Sequence, residues 1–330
     1  MLSRPSFMRA RPDFAGDPLS DLLALLQVRS GVPLRMTAGG AWSLRFSGDG
    51  SLKFIAQVRG RLCVQVEGEP ASFWLEPGDC LLLRGSRPYV AGTDPALAPD
   101  DGAAHFAALR EHAGAVQWGE GEELEMVAGR FEIDPAQREV LEQLAPPALY
   151  LRAASSAAPA LQALLQLYRE EARAPALGQR ALADGLARMA LVQALRAQEA
   201  PAGWLGALRD PKIGAALRLL HAEPARRWTV QELAAGVAMS RSALALRFRR
   251  LVGCAPLHYL QQWRMRLARQ ILLSEELPVS TLAWRLGYAS ESAFSAAFRK
   301  ATGHAPGGYR DAMAEAHVES PDWQARAKFL

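Results

Sequence analysis

Residues 229–310 contain the pattern that most constrains the fold of this chain: two helix-turn-helix units joined by one long helix. In the first unit, Thr229 can cap a helix, and Glu232 three residues later completes the pattern of a capping box. Ser240 can cap the next helix. The apolar residues of that second helix recur at helical spacing and therefore share one face, namely Leu244, Phe248 and Leu251.

A second unit repeats the first at closely similar spacings. Ser290 can cap its second helix, which places Phe294 and Phe298 on the inner face. We expect the chain to turn at Gly236 in the first unit and at Gly287 in the second, since glycine adopts turn conformations without steric cost. Two similar units in tandem indicate a binding domain with two recognition helices.

The basic charge of the chain lies in the C-terminal part that contains this segment. Residues 209–310 contain 16 Lys and Arg residues against six Asp and Glu residues, a net charge of +10. Residues 1–208 carry a net charge of −4, and residues 311–330 carry −2. A basic surface on a helix-turn-helix segment is typical of proteins that bind the phosphates of DNA.

The spacing of apolar, small and basic residues through this segment resembles the AraC/XylS family of transcriptional regulators. The matching positions are Ala234, Ser240, Leu244, Phe248, Gly253, Pro256, Arg264, Ala268, Ile271, Leu272, Ala283, Gly287, Tyr288, Phe294, Phe298, Arg299, Lys300, Gly303, Pro306, Tyr309 and Arg310. The resemblance implies a regulator that binds double-stranded promoter DNA, more often an activator that works with RNA polymerase. The alternative is a helical bundle without a DNA partner.

In a helix-turn-helix, the second helix enters the major groove with its outward residues toward the bases. The residues predicted to read bases are Arg241, Ser242, Ala245, Leu246, Ser292, Ser295 and Ala296. Phosphate contacts are predicted for Arg247, Arg249, Arg250, Arg299 and Lys300. The connecting helix over 256–273 spans roughly 27 Å at about 1.5 Å per residue, which suits two successive major grooves.

The sequence departs from the family at one position in each recognition helix. The family commonly has Arg two residues before the inner Phe, whereas this chain has Leu246 and Ala296. Because Arg paired with guanine is the commonest specific base contact, we expect modest base specificity per unit and a strong dependence of binding on salt. Arg264 also matches the family, and we expect a structural or phosphate-binding role for it.

Ahead of this segment, the pattern changes to short apolar or alternating runs between Gly, Pro and Asp turns, after a short helix over 17–28. Many short strands without helices between them favour an antiparallel sandwich or barrel. Residues 17–130 resemble the cupin-type sensor domain of some AraC-like regulators, on Gly60, Gly68, Pro77, Gly78 and Asp79. The predicted fold class is α+β in two domains: an N-terminal cupin-like antiparallel β-barrel with helices, and a C-terminal all-α double helix-turn-helix.

The cupin resemblance implies a small-molecule effector, with a pocket predicted from Arg45, Gln57, Cys63, Tyr89 and His105. No His lies between residues 1 and 104, so the usual metal ligands of a cupin enzyme are missing and we expect no metal, cofactor or catalytic residue. A DNA-repair methyltransferase is disfavoured because no cysteine stands in a Pro-Cys-His context. A sensor half without a small-molecule ligand, serving dimerisation or protein contact, stays open.

Two amphipathic helices follow the predicted strands, and the resemblance implies that they form a homodimer contact. The predicted organisation is a leader (1–16), a cupin-like sensing domain with its helices (17–200), a linker (201–210), an AraC-type DNA-binding domain (211–310) and a tail (311–330). Three scattered cysteines and the absence of a long apolar run predict a soluble cytoplasmic protein without a membrane partner.

Overall fold

The structure of the 330-residue chain is a computed structural model. It describes residues 16–26, 29–30, 34–85, 87–104, 115–132, 141–142, 146–154, 158–173, 177–198 and 203–318. The chain divides into two compact units. The β unit comprises Leu26–Pro201, and the helical unit comprises Met1–Leu25 together with Ala202–Leu330.

The β unit is built from short strands, as the alternating sequence pattern predicts. Its described strands are β1 (Arg29–Ser30), β2 (Leu34–Ala38), β3 (Ser43–Phe46), β4 (Leu52–Arg59), β5 (Leu62–Val66), β6 (Phe73–Leu75), β7 (Cys80–Arg84), β8 (Tyr89–Gly92), β9 (Asp100–Asp101), β10 (Ala115–Trp118), β11 (Leu124–Glu132) and β12 (Ala148–Leu151).

These strands form two sheets. One has the order β10-β2-β11-β4-β7-β12, with β1 beside β11, and the other has the order β6-β5-β8-β3-β9. Most neighbours are antiparallel, but β10 runs parallel to β2 and β9 runs parallel to β3. Among the described strands, no ladder joins the two sheets, so they are not closed into the predicted barrel. The α+β two-domain architecture is confirmed.

The core of the β unit lies between the two sheets, because alternate residues of each strand point to the same side. The first sheet contributes buried residues that include Met36, Ile55, Leu81 and Met126. The second sheet contributes Leu44, Leu62, Val64 and Ala91, among others. Side chains from both sheets thus fill one apolar layer, as in a β-sandwich.

Two helices follow the strands, α2 (Ala158–Arg173) and α3 (Gln179–Arg196). A buried carboxylate attaches α2 to the first sheet. Glu125 on β11 accepts hydrogen bonds from Arg35 Nε on β2 at 2.9 Å and from Arg169 Nε and Nη2 on α2 at 2.9 and 3.0 Å. Burial alone would raise the pKa of Glu125, but the hydrogen bonds from Arg35 and Arg169 hold it below its usual value.

Replacing Glu125 with Gln is expected to loosen α2 and to lower the free energy of unfolding of the β unit by about 1 to 2 kcal/mol, since both arginines are partly exposed. The depressed pKa gives this contact a pH dependence. The stabilisation from this contact is fully present above a pH of about 4.3, the pKa of a Glu carboxyl in the unfolded chain. It is lost as the pH falls through the lower pKa of Glu125 in the folded protein. Urea unfolding at pH 7 and pH 4 checks this, because Glu125→Gln should differ from the wild type less at the lower pH.

The helical unit contains one helix from the start of the chain and the helices that follow residue 202. They are α1 (Pro18–Leu25), α4 (Gly203–Arg209), α5 (Pro211–Ala222), α6 (Val230–Gly236), α7 (Arg241–Val252), α8 (Pro256–Ser274), α9 (Val279–Arg285), α10 (Glu291–Thr302) and α11 (Tyr309–Val318), with a 3₁₀ turn at Pro306–Gly308 before α11. Nowhere in the described ranges is a helix long and apolar enough to span a bilayer.

The first helix-turn-helix begins where the sequence predicts. Thr229 Oγ1 accepts the backbone N–H of Glu232 at 3.1 Å, and the Glu232 carboxylate accepts the backbone N–H of Thr229 at 2.8 Å. This reciprocal capping box satisfies two N–H groups that would otherwise lack partners at the helix start. The predicted connecting helix is α8, which extends one residue beyond the predicted end and buries Trp263, Leu267 and Ala268.

Candidate nucleic-acid interface

The two recognition helices, α7 and α10, expose and bury residues in the same order. Both have three exposed residues, a buried one, three partly or fully exposed ones, a second buried residue and two exposed basic residues. The buried positions are Leu244 and Phe248 in α7 and Phe294 and Phe298 in α10, each of them fully enclosed. The sequence repeat therefore gives the two helices matching surfaces, because equivalent positions are exposed to solvent in each.

Both helices also begin and end in the same way. Ser240 Oγ accepts the backbone N–H of Ala243, and Ser290 Oγ accepts that of Ala293, each at 3.2 Å. At the other end, Gly253 and Gly303 adopt left-handed conformations with φ of 90° and 79°. The caps fix the first turn of each helix, where a recognition helix presents its side chains to a groove.

The residues predicted to read bases lie on the open faces of these two helices. Arg241, Ser242, Leu246, Ser292 and Ala296 are exposed, and Ala245 and Ser295 are partly exposed. Leu246 has 75% of its surface exposed, as the predicted outward position requires. An apolar side chain so placed suits contact with a thymine methyl group in the major groove.

Four of the five residues predicted to contact phosphates are exposed at the C-terminal halves of the same helices: Arg249, Arg250, Arg299 and Lys300. Arg247 is different. Its guanidinium donates from Nε to Asp210 Oδ2 at 2.9 Å, while Asp210 Oδ1 accepts from the backbone N–H groups of Lys212 and Ile213 at the start of α5. The predicted phosphate contact of Arg247 would compete with this ion pair.

The two turns use different residues in the left-handed conformation. The turn predicted at Gly287 is present, with φ of 77°. The turn predicted at Gly236 lies two residues later, because Gly236 ends helix α6 and Ala238 takes φ of 51°. Ala238 and Gly287 both follow the inner alanine of their unit by four residues, so Ala238 occupies the position of the second unit's glycine with a non-glycine residue.

Ala238→Gly is expected to raise the free energy of unfolding of the helical unit by about 1 kcal/mol. The left-handed conformation costs an L-residue roughly 1 to 2 kcal/mol, and the greater freedom of Gly in the unfolded chain offsets about half of that. Thermal unfolding of the full chain measures the change, with Ala235→Gly inside helix α6 as a control that should destabilise. A loss of stability in Ala238→Gly would contradict the observed backbone conformation.

Two arginines hold the connecting helix α8 to its surroundings through backbone carbonyl groups, Arg264 from the middle of the helix and Arg310 at its C-terminal end. Arg264 donates to the carbonyls of Pro224 and Arg226 at 2.7 and 2.9 Å, and its guanidinium lies over the ring of Tyr288. Arg310 donates to the carbonyls of Leu272 and Glu275 at 3.0 and 2.8 Å. Arg264 thus has the structural role that was one of its two predicted roles.

The residues predicted for an effector pocket are distributed over the β unit. Arg45 is exposed and pairs with Glu67 on the outer surface. Cys63 and Tyr89 are buried, and Tyr89 stacks on Phe46 with ring centroids 4.9 Å apart. His105 lies outside the described residues.

Gln57 lines a cleft between the first sheet and helix α2. The cleft has a volume of about 190 Å³, and its lining combines apolar residues such as Val127 and Leu165 with polar ones, namely Gln162, Gln166 and Arg169. Gln57 is buried, its amide nitrogen donates to the carbonyl of Arg59, and its amide oxygen has no hydrogen-bond partner. A buried acceptor without a partner favours a ligand that brings a donor.

Neither a metal centre nor a reactive thiol is indicated in the part of the β unit that the structure describes. No three His, Cys, Asp or Glu side chains there are grouped so that they could hold a metal ion. Burial raises the pKa of Cys80 to about 12, and burial also raises the pKa of Cys63. Both thiols therefore stay protonated near neutral pH, which makes them poor nucleophiles and poor metal ligands.

Comparison with known proteins identifies a cupin part and a helix-turn-helix part, and the cupin match includes α1, which packs in the helical unit. Residues 17–200 match a cupin family model, and residues 233–312 match a helix-turn-helix domain model. Two Streptomyces proteins named as AraC-like transcription regulators, from S. antibioticus and S. lividans, are each 38% identical over 89% of this chain and 98% of their own length. The HTH-type transcriptional regulator AlkR of Acinetobacter baylyi is 44% identical over 33% of this chain and 36% of its own length. The chain therefore belongs to the AraC-like family of DNA-binding transcription regulators, with a cupin domain ahead of its helix-turn-helix domain.

Proposed function

We propose that the helical unit reads promoter DNA with both recognition helices, α7 and α10, in successive major grooves. The observation that carries this proposal is the matched order of buried and exposed residues in the two helices, with a serine cap at each start. The connecting helix α8 has 19 residues, about 28 Å at about 1.5 Å per residue, close to the roughly 34 Å of one duplex turn.

Within this proposal, the N-terminal turns of the two helices select the sequence, and their C-terminal halves bind the backbone. Base contacts come from Arg241 and Ser242 in α7 and from Ser292 and Ser295 in α10, with Ala245, Leu246 and Ala296 against thymine methyl groups. Phosphate contacts come from Arg249, Arg250, Arg299 and Lys300. The salt dependence of binding to DNA enriched from a random library tests this assignment of base and phosphate contacts. Each neutralised phosphate contributes about −0.9 to the slope of log K against the logarithm of the salt concentration.

We further propose that the β unit senses a small molecule and that the cleft beneath α2 holds it. The cleft is lined by apolar side chains and by the polar side chains of Gln57, Gln162, Gln166 and Arg169, so the ligand expected there has an apolar body and polar groups that can hydrogen-bond to them. Its binding would bias the helical unit between states of different affinity for DNA.

A thermal-shift screen of metabolites tests the sensing proposal. A ligand at about 100 times its dissociation constant stabilises the protein by about 2.7 kcal/mol. Leu165→Trp should fill the cleft and abolish the shift, whereas Ala163→Trp, on the exposed side of α2, should preserve it. A thermal shift that persists in Leu165→Trp would place the ligand elsewhere. If no metabolite shifts the melting temperature of the wild type, a role of the β unit in dimerisation or protein contact is favoured.

The helix pair α2 and α3 supports the proposal of a homodimer. Leu186 and Leu195 of α3 are buried, but other large apolar side chains of this region are open to solvent, namely Leu167, Leu177, Leu182 and Met189. Such a group is typical of a contact surface. Sedimentation of Leu182→Glu with Met189→Glu should show a smaller species than the wild type, while Ala181→Glu should leave the dimer intact.

We propose activation as the direction of control, with RNA polymerase as the second partner and the cytoplasm as the location, since the family relationship favours all three. The same relationship argues against an enzymatic role for the cupin domain, as does the absence of His from residues 1–104. A promoter fusion read in a strain with and without this protein distinguishes activation from repression. Higher reporter output in its presence supports the proposal, and lower output would reverse it.

A further inference from the structure

The N-terminal helix α1 packs into the helical unit, although some 175 residues of the β unit follow it in the chain. Asp21, Leu22 and Leu25 are buried, with 5%, 0% and 3% of their surfaces exposed. The partner element is α5, which carries His221, a residue with no exposed surface. A carboxylate and an imidazole are rarely buried to this extent unless they hold each other.

Asp21 and His221 are the first two members of a buried hydrogen-bonded chain. His221 Nδ1 lies 2.9 Å from Asp21 Oδ2, and His221 Nε2 lies 2.8 Å from the Tyr259 hydroxyl. Trp204 Nε1 donates to the same hydroxyl at 3.0 Å. All four groups are satisfied if Tyr259 donates to Nε2 and His221 donates from Nδ1 to Asp21, which fixes the direction of every bond.

The Tyr259 end of this series of hydrogen bonds lies directly under the first recognition helix. The Tyr259 ring meets the ring of Phe248 edge to face, with centroids 5.9 Å apart, and Phe248 is the buried anchor of α7. His221 also stacks on Trp263 of the connecting helix, with centroids 4.2 Å apart. The second unit repeats this aromatic contact, since Phe298 of α10 meets Tyr309, the counterpart of Tyr259, with centroids 5.1 Å apart. The contacts of α1 with α5 lie beside the first unit.

We propose that Asp21 is a positioning residue for the first recognition helix, α7. In this proposal, α1 stays packed against α5 when DNA is bound. The proposal rests on the proposed reading of DNA by α7 and α10. Because the chain passes between the two units at Leu25 and again at Pro201, α1 gives the β unit a second covalent connection to the helical unit. That connection reaches α7 through the contact between Tyr259 and Phe248.

The test uses the full chain and DNA enriched by the wild type, with methylation interference read separately for the two grooves. Asp21→Ala should weaken binding about tenfold and remove interference at the groove read by α7, while interference at the groove read by α10 remains. Asp21→Asn, which keeps an oxygen acceptor for His221, should recover most of the affinity. Ala24→Gln, at an exposed position of the same helix, should match the wild type.

A cross-link tests whether α1 stays docked. A Cβ atom placed on Gly16 would lie 3.8 Å from Ala222 Cβ, which is the usual separation in a disulfide. The pair Gly16→Cys with Ala222→Cys, confirmed as cross-linked by peptide mass spectrometry, should bind DNA equally well oxidised and reduced. The φ of 67° at Gly16 strains both forms alike, so the comparison between them is unaffected.

Three results have distinct meanings. A wild type that binds no DNA sequence would refute the proposed function itself. A wild type that binds, with Asp21→Ala unchanged at both grooves, would refute the positioning role of Asp21. A cross-linked protein that loses binding and regains it on reduction would show that α1 must leave the α5 surface, which is the opposite of what we propose.

Discussion

Replacing Gly287 with Ala is expected to destabilise the helical unit by about 2 to 5 kcal/mol. Gly287 has φ of 77°, which by itself strains any L-residue. A Cβ atom there would also lie 2.0 Å from the backbone carbonyl oxygen of Ala225, an overlap that only a backbone shift can relieve. Because Arg264 holds this same loop through Pro224 and Arg226, the loop cannot move without losing those bonds.

Gly253→Ala is the matched control for this change. Gly253 has φ of 90°, but a Cβ atom there would meet nothing within 4 Å, so Ala should cost only the conformational strain of about 1 to 2 kcal/mol. Urea unfolding of both variants, followed by tryptophan fluorescence and circular dichroism, separates strain from overlap. Equal losses in the two variants would mean that the close approach of Gly287 to Ala225 contributes nothing.

Replacing Arg241 with Ala is expected to lower affinity for the preferred DNA by about 1 to 3 kcal/mol, or roughly 5-fold to 150-fold, and to change which sequence is preferred. Arg241 is an exposed arginine in the first turn of a recognition helix, where side chains reach base edges. The corresponding residue of α10 is Glu291, so α7 is expected to contribute the larger share of base selection. Selection from a random library with each protein measures the preference.

Arg249→Ala and Arg299→Ala are the controls for Arg241→Ala. Both arginines are exposed near the C-terminal ends of their helices, where contact with the backbone is expected. Each should weaken binding to all sequences alike and reduce the salt slope by about 0.9, with the preferred sequence unchanged. If these two variants altered the preferred sequence and Arg241→Ala did not, the assignment of base and phosphate contacts would be reversed.

Much of the helical unit could be predicted from local sequence rules. The capping box of Thr229 and Glu232 and the serine caps at Ser240 and Ser290 need only residues three positions apart. The inner faces of α7 and α10 follow from a spacing of four residues. Such short-range patterns determine which side chains of a helix are open to solvent, so the outward positions of Arg241 and Ser292 follow from the amino-acid order alone.

Features that depend on distant residues could not be predicted in this way. The ion pair between Arg247 and Asp210 joins residues 37 positions apart. The contact between Asp21 and His221 joins residues 200 positions apart, and no local pattern marks either of them.

The shape of the β unit was predictable in part. Alternation of apolar residues predicts the strands, but closure into a barrel depends on which strands become neighbours. Here the first sheet ends in β10 and β12 and the second in the short strands β6 and β9, and the core fills the space between two open sheets. The inward orientation predicted for Arg45 likewise required the strand register, which places it on the outer face beside Glu67.

The most direct test of two recognition helices reading DNA together is methylation interference on the DNA that the full chain selects from a random library. We predict two zones of interference in the major groove, centred about 10 base pairs apart on one face of the duplex. Ser292→Glu should remove the zone contacted by α10 and leave the other. A single zone in the wild type, or two zones on opposite faces, would contradict the account.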